Sequence, residues 1–430
     1  MSRRSAIAAA VLVAVGLPLV GVAPAPAAPP EGACRDPLPA GSPVPDQPWA
    51  QKSLSLKRTW QHSTGAGVTV AVVDSGVDAD HPQLQGKVFP GRDFFLVGEH
   101  PGNFDCQSHG TAVASIIAAA PANGIGFSGI APGAGILPVR VVDKEVNDDG
   151  EPIAIDPNTV ALGIRYAADQ GAKVINLSLS GYGDFAVIRD AVAYAQSLDV
   201  LLVAAVGNRQ GKNKNPGPSF PAAYEGVLGV GSIDMAGQRS SGSQIGDYVD
   251  LVAPGEGVLG ATRVAGHNYW TGTSFAAPFV SGTAALVRSA WPTLTAPEVA
   301  ARILATASPA RGGKQSLEYG VGVVDPYRAV TEQLSIKDPS LMPLVTDPPV
   351  DVDGMRNLAW WDRMGAGAKL SAGMVVLAIA VTAILAFALP RGKRRRWLAR
   401  RRAPLPAAPI RQEPPDQIFL FPPPPVEQIR

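Results

Sequence analysis

Apolar runs separated by helical patterns dominate the middle of the chain. Residues 68–73 and 200–206 consist of Val, Leu and Ala apart from one threonine, without the alternation of a half-exposed strand. Such runs are typical of strands buried on both faces of a parallel sheet. Apolar residues at helical spacing follow at 108–119, 159–170 and 185–199. This alternation predicts an α/β fold with a parallel β-sheet covered by helices on both faces.

A shorter apolar stretch lies near the start of the chain. Residues 6–22 carry no charge, Arg3 and Arg4 precede them, and an A-x-A sequence at 25–27 follows. This pattern predicts a secretory signal peptide, residues 1–27, cleaved after Ala27. An uncleaved membrane anchor is the alternative, which the small residues and prolines at the end of the stretch disfavour.

A second uncharged apolar stretch occupies residues 370–389 and is long enough to cross a bilayer as a helix. The basic run 391–402 follows directly, and positive charge marks the cytoplasmic side of a membrane span. We therefore expect one C-terminal transmembrane helix in the cell membrane, with the main domain outside the cytoplasm and the tail inside. A buried core helix with a solvated basic tail is the alternative.

These segments divide the rest of the chain. A proline-rich extension with room for a short helix within 49–60 precedes one large domain with a single core, and proline-containing segments flank the membrane span. The predicted boundaries are 1–27 for the signal peptide, 28–65 for the extension, 66–332 for the main domain, 333–369 for the linker, 370–389 for the span and 390–430 for the basic, proline-rich tail.

Net charge bears on nucleic-acid binding, and cysteine content bears on disulfide bonding. The net charge is only +1 among 430 residues, so no overall field favours nucleic acid, and we expect no nucleic-acid partner. The chain has two cysteines, Cys34 and Cys106. In an exported protein this pair predicts one disulfide, which would pin the extension close to His109.

Three polar residues stand at the ends of apolar elements and suggest one reaction. Asp74 ends the run 68–73, His109 begins a helical pattern, and Ser274 follows Gly272 and Thr273 ahead of another. Taken alone, the serine and histidine would be read as helix caps. Together they provide a nucleophile, a base that takes its proton, and a carboxylate that orients the base. Asn208 ends the run 200–206 and could donate a hydrogen bond to a developing oxyanion.

The motifs around these residues resemble those of the subtilisin-like serine proteases. The matching segments are Val70–Val77, His109–Ala114 and Gly272–Pro278, in the Asp, His, Ser order of that family, and Asn208 matches its oxyanion asparagine. The resemblance implies a subtilisin-like fold and cleavage of protein or peptide substrates through an acyl-enzyme without a cofactor.

The same resemblance implies a strand that pairs with the substrate backbone. Its residues would be Leu177, Ser178, Leu179, Ser180 and Gly181. Ser180 stands where many relatives have glycine.

The layout of the whole chain resembles a narrower group, the mycosins, which are membrane-anchored subtilases of type VII secretion. The matching features are the segment Pro48–Gln51, a cysteine-tethered extension, and a C-terminal span with a basic stop. This resemblance implies the type VII secretion membrane complex as a partner and exported proteins as substrates. A structural subunit of that complex and a surface protease without a complex are the alternatives.

The remaining histidines do not suggest a metal site. His81 lies in a pattern common in subtilases and is read as structural, whereas His62, His100 and His267 lack metal-ligand spacing. The acidic loop around 148–149 has no EF-hand pattern and is read as solvated. We therefore expect no metal.

Overall fold

The structure is a computed structural model. It describes residues 29–144, 153–210, 217–311, 313, 316–334, 389–391 and 393–394. The predicted signal peptide lies outside these residues, as do nearly all of the predicted linker, membrane span and tail. Within the described residues, no helix is long and apolar enough to cross a membrane. Residues 29–334 belong to one compact unit, and the few described residues after 388 belong to another.

Seven strands of the described chain form one parallel sheet. Its strand order is β2-β3-β1-β4-β5-β6-β7, so β1 lies in its interior between β3 and β4. The strands are β1 (Thr69–Asp74), β2 (Arg92–Asp93), β3 (Gly135–Arg140), β4 (Val174–Leu177), β5 (Leu201–Ala205), β6 (Val227–Ile233) and β7 (Leu251–Pro254). The predicted parallel sheet is confirmed.

Helices cover both faces of the sheet. The helices are α1 (Trp49–Ser53), α2 (Leu56–Thr59), α3 (His109–Ala118), α4 (Pro157–Asp169), α5 (Ala186–Ser197), α6 (Thr273–Ala290), α7 (Ala296–Ala305) and α8 (Pro326–Thr331). Successive side chains of β1 point to opposite faces. Val70 and Val72 pack with α3 and α6, while Ala71 and Val73 pack with α4 and α5. Burial on both faces explains why β1 is an unbroken apolar run.

A short hairpin was not predicted from the sequence. Its strands, β8 (Val258–Ala261) and β9 (His267–Trp270), pair in antiparallel fashion outside the main sheet. All four residues of β8 are buried, whereas Asn268 and Tyr269 in β9 are exposed. Strands of four residues with different burial patterns offer too little periodicity for recognition. The hairpin nevertheless lies beside the site described below.

The proline-rich extension packs along the main domain. The indole of Trp49 donates to the carbonyl of Gly257 (3.1 Å), and that of Trp60 donates to Ile130 (2.9 Å). Ser42 pairs with His267 in the hairpin. The predicted disulfide joins Cys34 and Cys106, which are separated by 72 positions. The extension therefore contacts the domain through side chains, backbone pairing and a covalent bond, and it contains two short helices where one was expected.

Candidate active site

Asp74 lies at the carboxyl end of β1, where the chain leaves the sheet. Its side chain is buried, and Oδ1 accepts a hydrogen bond from the backbone N–H of Ser75 (2.7 Å). Gly76 follows with a φ of 100°, and a Cβ there would lie 2.0 Å from the carbonyl oxygen of Phe104. Glycine at this position lets the chain turn tightly and leaves the carboxylate facing α3.

His109 is the first residue of α3, and its ring meets Asp74. Its Nδ1 lies 2.8 Å from Asp74 Oδ1, so Nδ1–H donates to the carboxylate. A Cβ on Gly110 would lie 2.1 Å from the carbonyl oxygen of Gly76. Only glycine at position 110 therefore lets α3 approach the turn after β1 closely enough for this contact.

Ser274 lies in the first turn of α6, next to the histidine. The ring of the following residue, Phe275, packs against the ring of His109 with centroids 4.8 Å apart. Trp270 in β9 stacks on Phe275 with ring centroids 5.1 Å apart. The structure thus brings the start of α6 to His109 and Asp74, and the hairpin supports that contact.

A proline explains how the backbone of Ser274 is held. In a regular helix the carbonyl of residue 274 would accept the N–H of residue 278, but Pro278 has none. The hydroxyl of Ser178 donates to that carbonyl instead (2.6 Å). Asn176 donates to Ser178 and accepts from Ser281, each at 2.8 Å. This buried network ties the first turn of α6 to β4.

Asn208 lies three residues after the end of β5 and contacts the start of α6. Its Oδ1 accepts hydrogen bonds from the backbone N–H of Thr273 (2.8 Å) and from the Thr273 hydroxyl (3.1 Å). Because a backbone N–H can only donate, this contact assigns Oδ1 to the Thr273 side of the amide. Asn208 is exposed, and within the described part of the chain its Nδ2 makes no hydrogen bond.

Comparison with known proteins agrees with this geometry. The profile of the subtilase family matches residues 65–322, which is more than half of the chain. The chain belongs to the subtilase family. Thermitase of Thermoactinomyces vulgaris is 36% identical over 282 residues, covering 66% of this chain and 95% of thermitase. Mycosin-3 of Mycobacterium tuberculosis is 35% identical over 441 residues, covering 86% of this chain and 93% of mycosin-3.

Solved structures give the same result. One is described as the structure of a serine protease, MycP1, an essential component of the type VII (ESX-1) secretion system. It shares 34% identity with this subtilase at a TM-score of 0.60, covering 69% of this chain and 93% of that one. The predicted subtilisin-like fold, the serine protease class and the resemblance to mycosins are therefore confirmed.

The segment expected to pair with substrate divides into a buried and an exposed part. Strand β4 of this subtilase ends at Leu177, the first residue of that segment, and both Leu177 and Ser178 are buried. Leu179 is half-buried, and Ser180 and Gly181 are exposed. The N–H and carbonyl of Gly181 both bond to Phe220. Leu179 and Ser180 are therefore the two residues of the segment that are neither buried nor bonded to Phe220.

Two further histidines of the subtilase are buried under the extension. The rings of His81 and His267 lie 5.9 Å apart, and His267 Nε2 is 2.7 Å from the side-chain oxygen of Gln83. Burial lowers the pKa of both rings, to about 4 for His267, where the neighbouring His81 contributes further. Both are therefore neutral at pH 7. Among the described residues, no cluster of three or more His, Cys, Asp or Glu could hold a metal ion.

Proposed function

We propose that Asp74, His109 and Ser274 form the catalytic triad of this subtilase, acting as an endopeptidase. The supporting observation is the 2.8 Å contact between His109 Nδ1 and Asp74 Oδ1, with the His109 ring packed on the residue after Ser274. This contact favours the tautomer in which Nε2 carries the lone pair and can accept a proton from the serine hydroxyl.

Each group has a defined step in this proposal. Ser274 Oγ attacks the scissile carbonyl carbon while His109 Nε2 takes its proton, and Asp74 stabilises the resulting imidazolium. His109 then gives the proton to the leaving amine, which leaves an acyl-enzyme for water to hydrolyse. The N–H of Ser274 belongs to the first helical turn, where N–H groups have no partner within the helix. It can therefore bind the oxyanion together with Asn208 Nδ2.

The oxyanion role makes a direct prediction for Asn208. Replacing Asn208 with alanine should lower kcat about 10²- to 10³-fold and change KM little, because the donor acts on charge that develops in the transition state. Asn208→Asp should show a comparable loss, since it keeps an acceptor for Thr273 but removes the N–H donor. Steady-state kinetics on a peptide substrate measures both.

Asn158→Ala is the matched control for this prediction. Asn158 is an exposed asparagine in the first turn of α4, which covers the other face of the sheet. Its replacement should leave kcat unchanged. Wild-type kcat in Asn208→Asp would show that Asn208 holds Thr273 and does not stabilise an oxyanion.

We also propose that this subtilase is anchored by residues 370–389, with its catalytic domain outside the cytoplasm, and that it cleaves proteins exported by type VII secretion. The match to mycosin-3 supports this proposal because it extends over 86% of the chain, well beyond the catalytic domain. The uncharged stretch followed by a basic run supports the proposed orientation.

A second role is a structural subunit of the secretion complex, with proteolysis secondary. MycP1 is described as an essential component of a secretion system. This description supports a structural role, because a component can stabilise a complex without cleaving any protein. Ser274→Ala separates the two roles because it removes one oxygen atom and leaves the surface of the protein intact.

The experiment is complementation of a deletion strain with wild-type or Ser274→Ala protein. Secretion and cleavage of the exported proteins are scored together. We expect the variant to restore secretion without cleavage if the protein is also a structural part of the complex, and to restore neither if proteolysis drives export. Cleaved substrates in the Ser274→Ala strain would contradict the proposed nucleophile.

A further inference from the structure

A second buried carboxylate lies beside the triad and was not recognised in the sequence. Asp105 is 3% exposed and precedes His109 by four residues. Its Oδ1 accepts hydrogen bonds from Ser75 Oγ (3.1 Å) and from the N–H groups of Gln107 (2.9 Å) and Ser108 (3.0 Å). Its Oδ2 accepts from the N–H (2.9 Å) and hydroxyl (2.7 Å) of Thr111. These hydrogen bonds hold the turn after β1 and the first turn of α3 against the Asp105 carboxylate.

Asp105 takes over the capping of the helix that carries His109. The residue at the N-cap position of α3, Ser108, has a φ of 68° and makes no capping bond with its side chain. Its hydroxyl instead accepts the N–H of Arg263 from the loop of the hairpin (2.9 Å). The N–H of Thr111, which a capping side chain would normally bind, bonds to Asp105. The first turn of α3 is therefore held by a residue upstream of the helix.

Asp105 also reaches the turn that carries Asp74. Ser75 Oγ donates to Asp105 and accepts the N–H of Gly110 in α3 (3.0 Å). The backbone N–H of Ser75 donates to Asp74 Oδ1. Asp105 and Ser75 thus connect the end of β1 to the start of α3, the two elements whose spacing sets the distance between Asp74 and His109.

We propose that Asp105 is a positioning residue that holds the imidazole of His109 in register with Asp74. The inference rests on the proposed triad, because it concerns the geometry of that site. Asp105 does not touch the reacting atoms and acts through Ser75 and the first turn of α3. Small displacements of a catalytic group can cost as much as about 10²-fold in rate, so a residue that fixes this register has a large effect on kcat.

The charge of Asp105 changes within an accessible pH range. Burial raises the pKa of Asp105 to about 6 and the charge of Asp74 raises it further, whereas hydrogen bonds from Thr111 and Gln107 oppose the rise. Below pH 6 the carboxyl therefore gains a proton, and a protonated oxygen cannot accept all of the donors that face it. The other charged or titratable groups near it are His109 on α3, Arg263 in the hairpin loop, which donates to the Asp105 carbonyl, and Arg140 on β3, which donates to the Ser75 carbonyl.

The test is Asp105→Asn, assayed on a peptide substrate from pH 5 to 8. The amide NH₂ must face at least two donors, so we expect kcat to fall about 10- to 10²-fold with KM little changed. In the wild type, the proton on His109 abolishes activity and the proton on Asp105 lowers it further, so log kcat/KM should fall with a slope steeper than one below about pH 6. Asp105→Asn has no carboxyl to protonate, and its slope should be one.

Asp250→Asn is the matched control. Burial also raises the pKa of Asp250 to about 6, and a hydrogen bond from Gly229 opposes the rise. Asp250 directly precedes β7, at the end of the sheet opposite the triad, so Asp250→Asn should keep the wild-type kcat and slope. Titrating the active serine with a phosphonate gives the concentration of folded enzyme, and each rate is divided by that concentration.

Ser75→Ala provides the second variant if Asp105→Asn does not fold. It removes the hydroxyl that joins Asp105 to Gly110 and keeps the carboxyl with its bonds to the first turn of α3. We again expect a lower kcat, with a slope closer to one than in the wild type. A wild-type kcat and pH profile in Asp105→Asn, or in Ser75→Ala where the former fails to fold, would overturn the inference. Activity surviving in Ser274→Ala would instead overturn the triad, so the two failures are distinguishable.

Discussion

Replacing Ser274 with alanine is expected to lower kcat for peptide cleavage about 10⁶-fold, the loss typical when a serine protease loses its nucleophile. The physical reason is that alanine has no hydroxyl, so position 274 offers His109 no oxygen to activate and no acyl-enzyme can form there. Asn208 and the N–H at position 274 remain, so a residual rate above that of the uncatalysed reaction should persist. Single-turnover kinetics with a chromogenic peptide measures the loss, and labelling by a serine-directed phosphonate should disappear with it.

Ser289→Ala is the control for this experiment. Ser289 lies on the same helix near its other end, where its hydroxyl bonds to the carbonyl of Ala66. Its replacement tests whether any change in α6 reduces activity, and full activity is expected. Unchanged cleavage or labelling in Ser274→Ala would mean that another residue is the nucleophile.

Removing the disulfide is expected to cost about 4 kcal/mol in the free energy of unfolding. Cys34 and Cys106 are 72 positions apart, and the chain-entropy model predicts a cost of this size for opening so long a loop. Alanine should replace both residues, because Cys106 is buried and a serine hydroxyl there would add a cost of its own. Denaturant unfolding of wild type and double variant gives the difference.

Reduction of the wild-type protein is the companion measurement. It should lower the unfolding midpoint by a comparable amount, whereas the double variant should not respond to reductant. An unchanged midpoint in the double variant would show that the noncovalent contacts of the extension hold it as firmly as the covalent bond does.

The sheet and the contact between Asp74 and His109 could be predicted because each depends on local sequence. The run 68–73 is apolar throughout because both faces of β1 are covered, and Asp74 is polar because the strand ends there. Positions 76 and 110 are glycine because a Cβ at either position would collide with a backbone carbonyl oxygen of a neighbouring segment. These requirements concern residues within a few positions of each motif, so the motif itself indicates them.

Other parts of the site depend on contacts between distant residues, which no local pattern shows. The hydroxyl of Ser178 bonds to the carbonyl of Ser274, 96 positions away, and no pattern around Ser178 indicates this contact. The clue in the sequence was Pro278, which leaves that carbonyl without its helical partner. Asp105 gave no comparable clue, since an aspartate next to a cysteine reads as an ordinary loop residue.

The disulfide also determines where the fold would bear a mechanical load. A pulling force applied to residues before Cys34 passes through the sulfur bridge to Cys106, because a covalent bond carries tension that the enclosed loop does not. Residues 35–105, with β1 and Asp74, are therefore shielded from that tension. The force enters the domain three residues before His109, so tension on the extension is delivered directly to the start of α3.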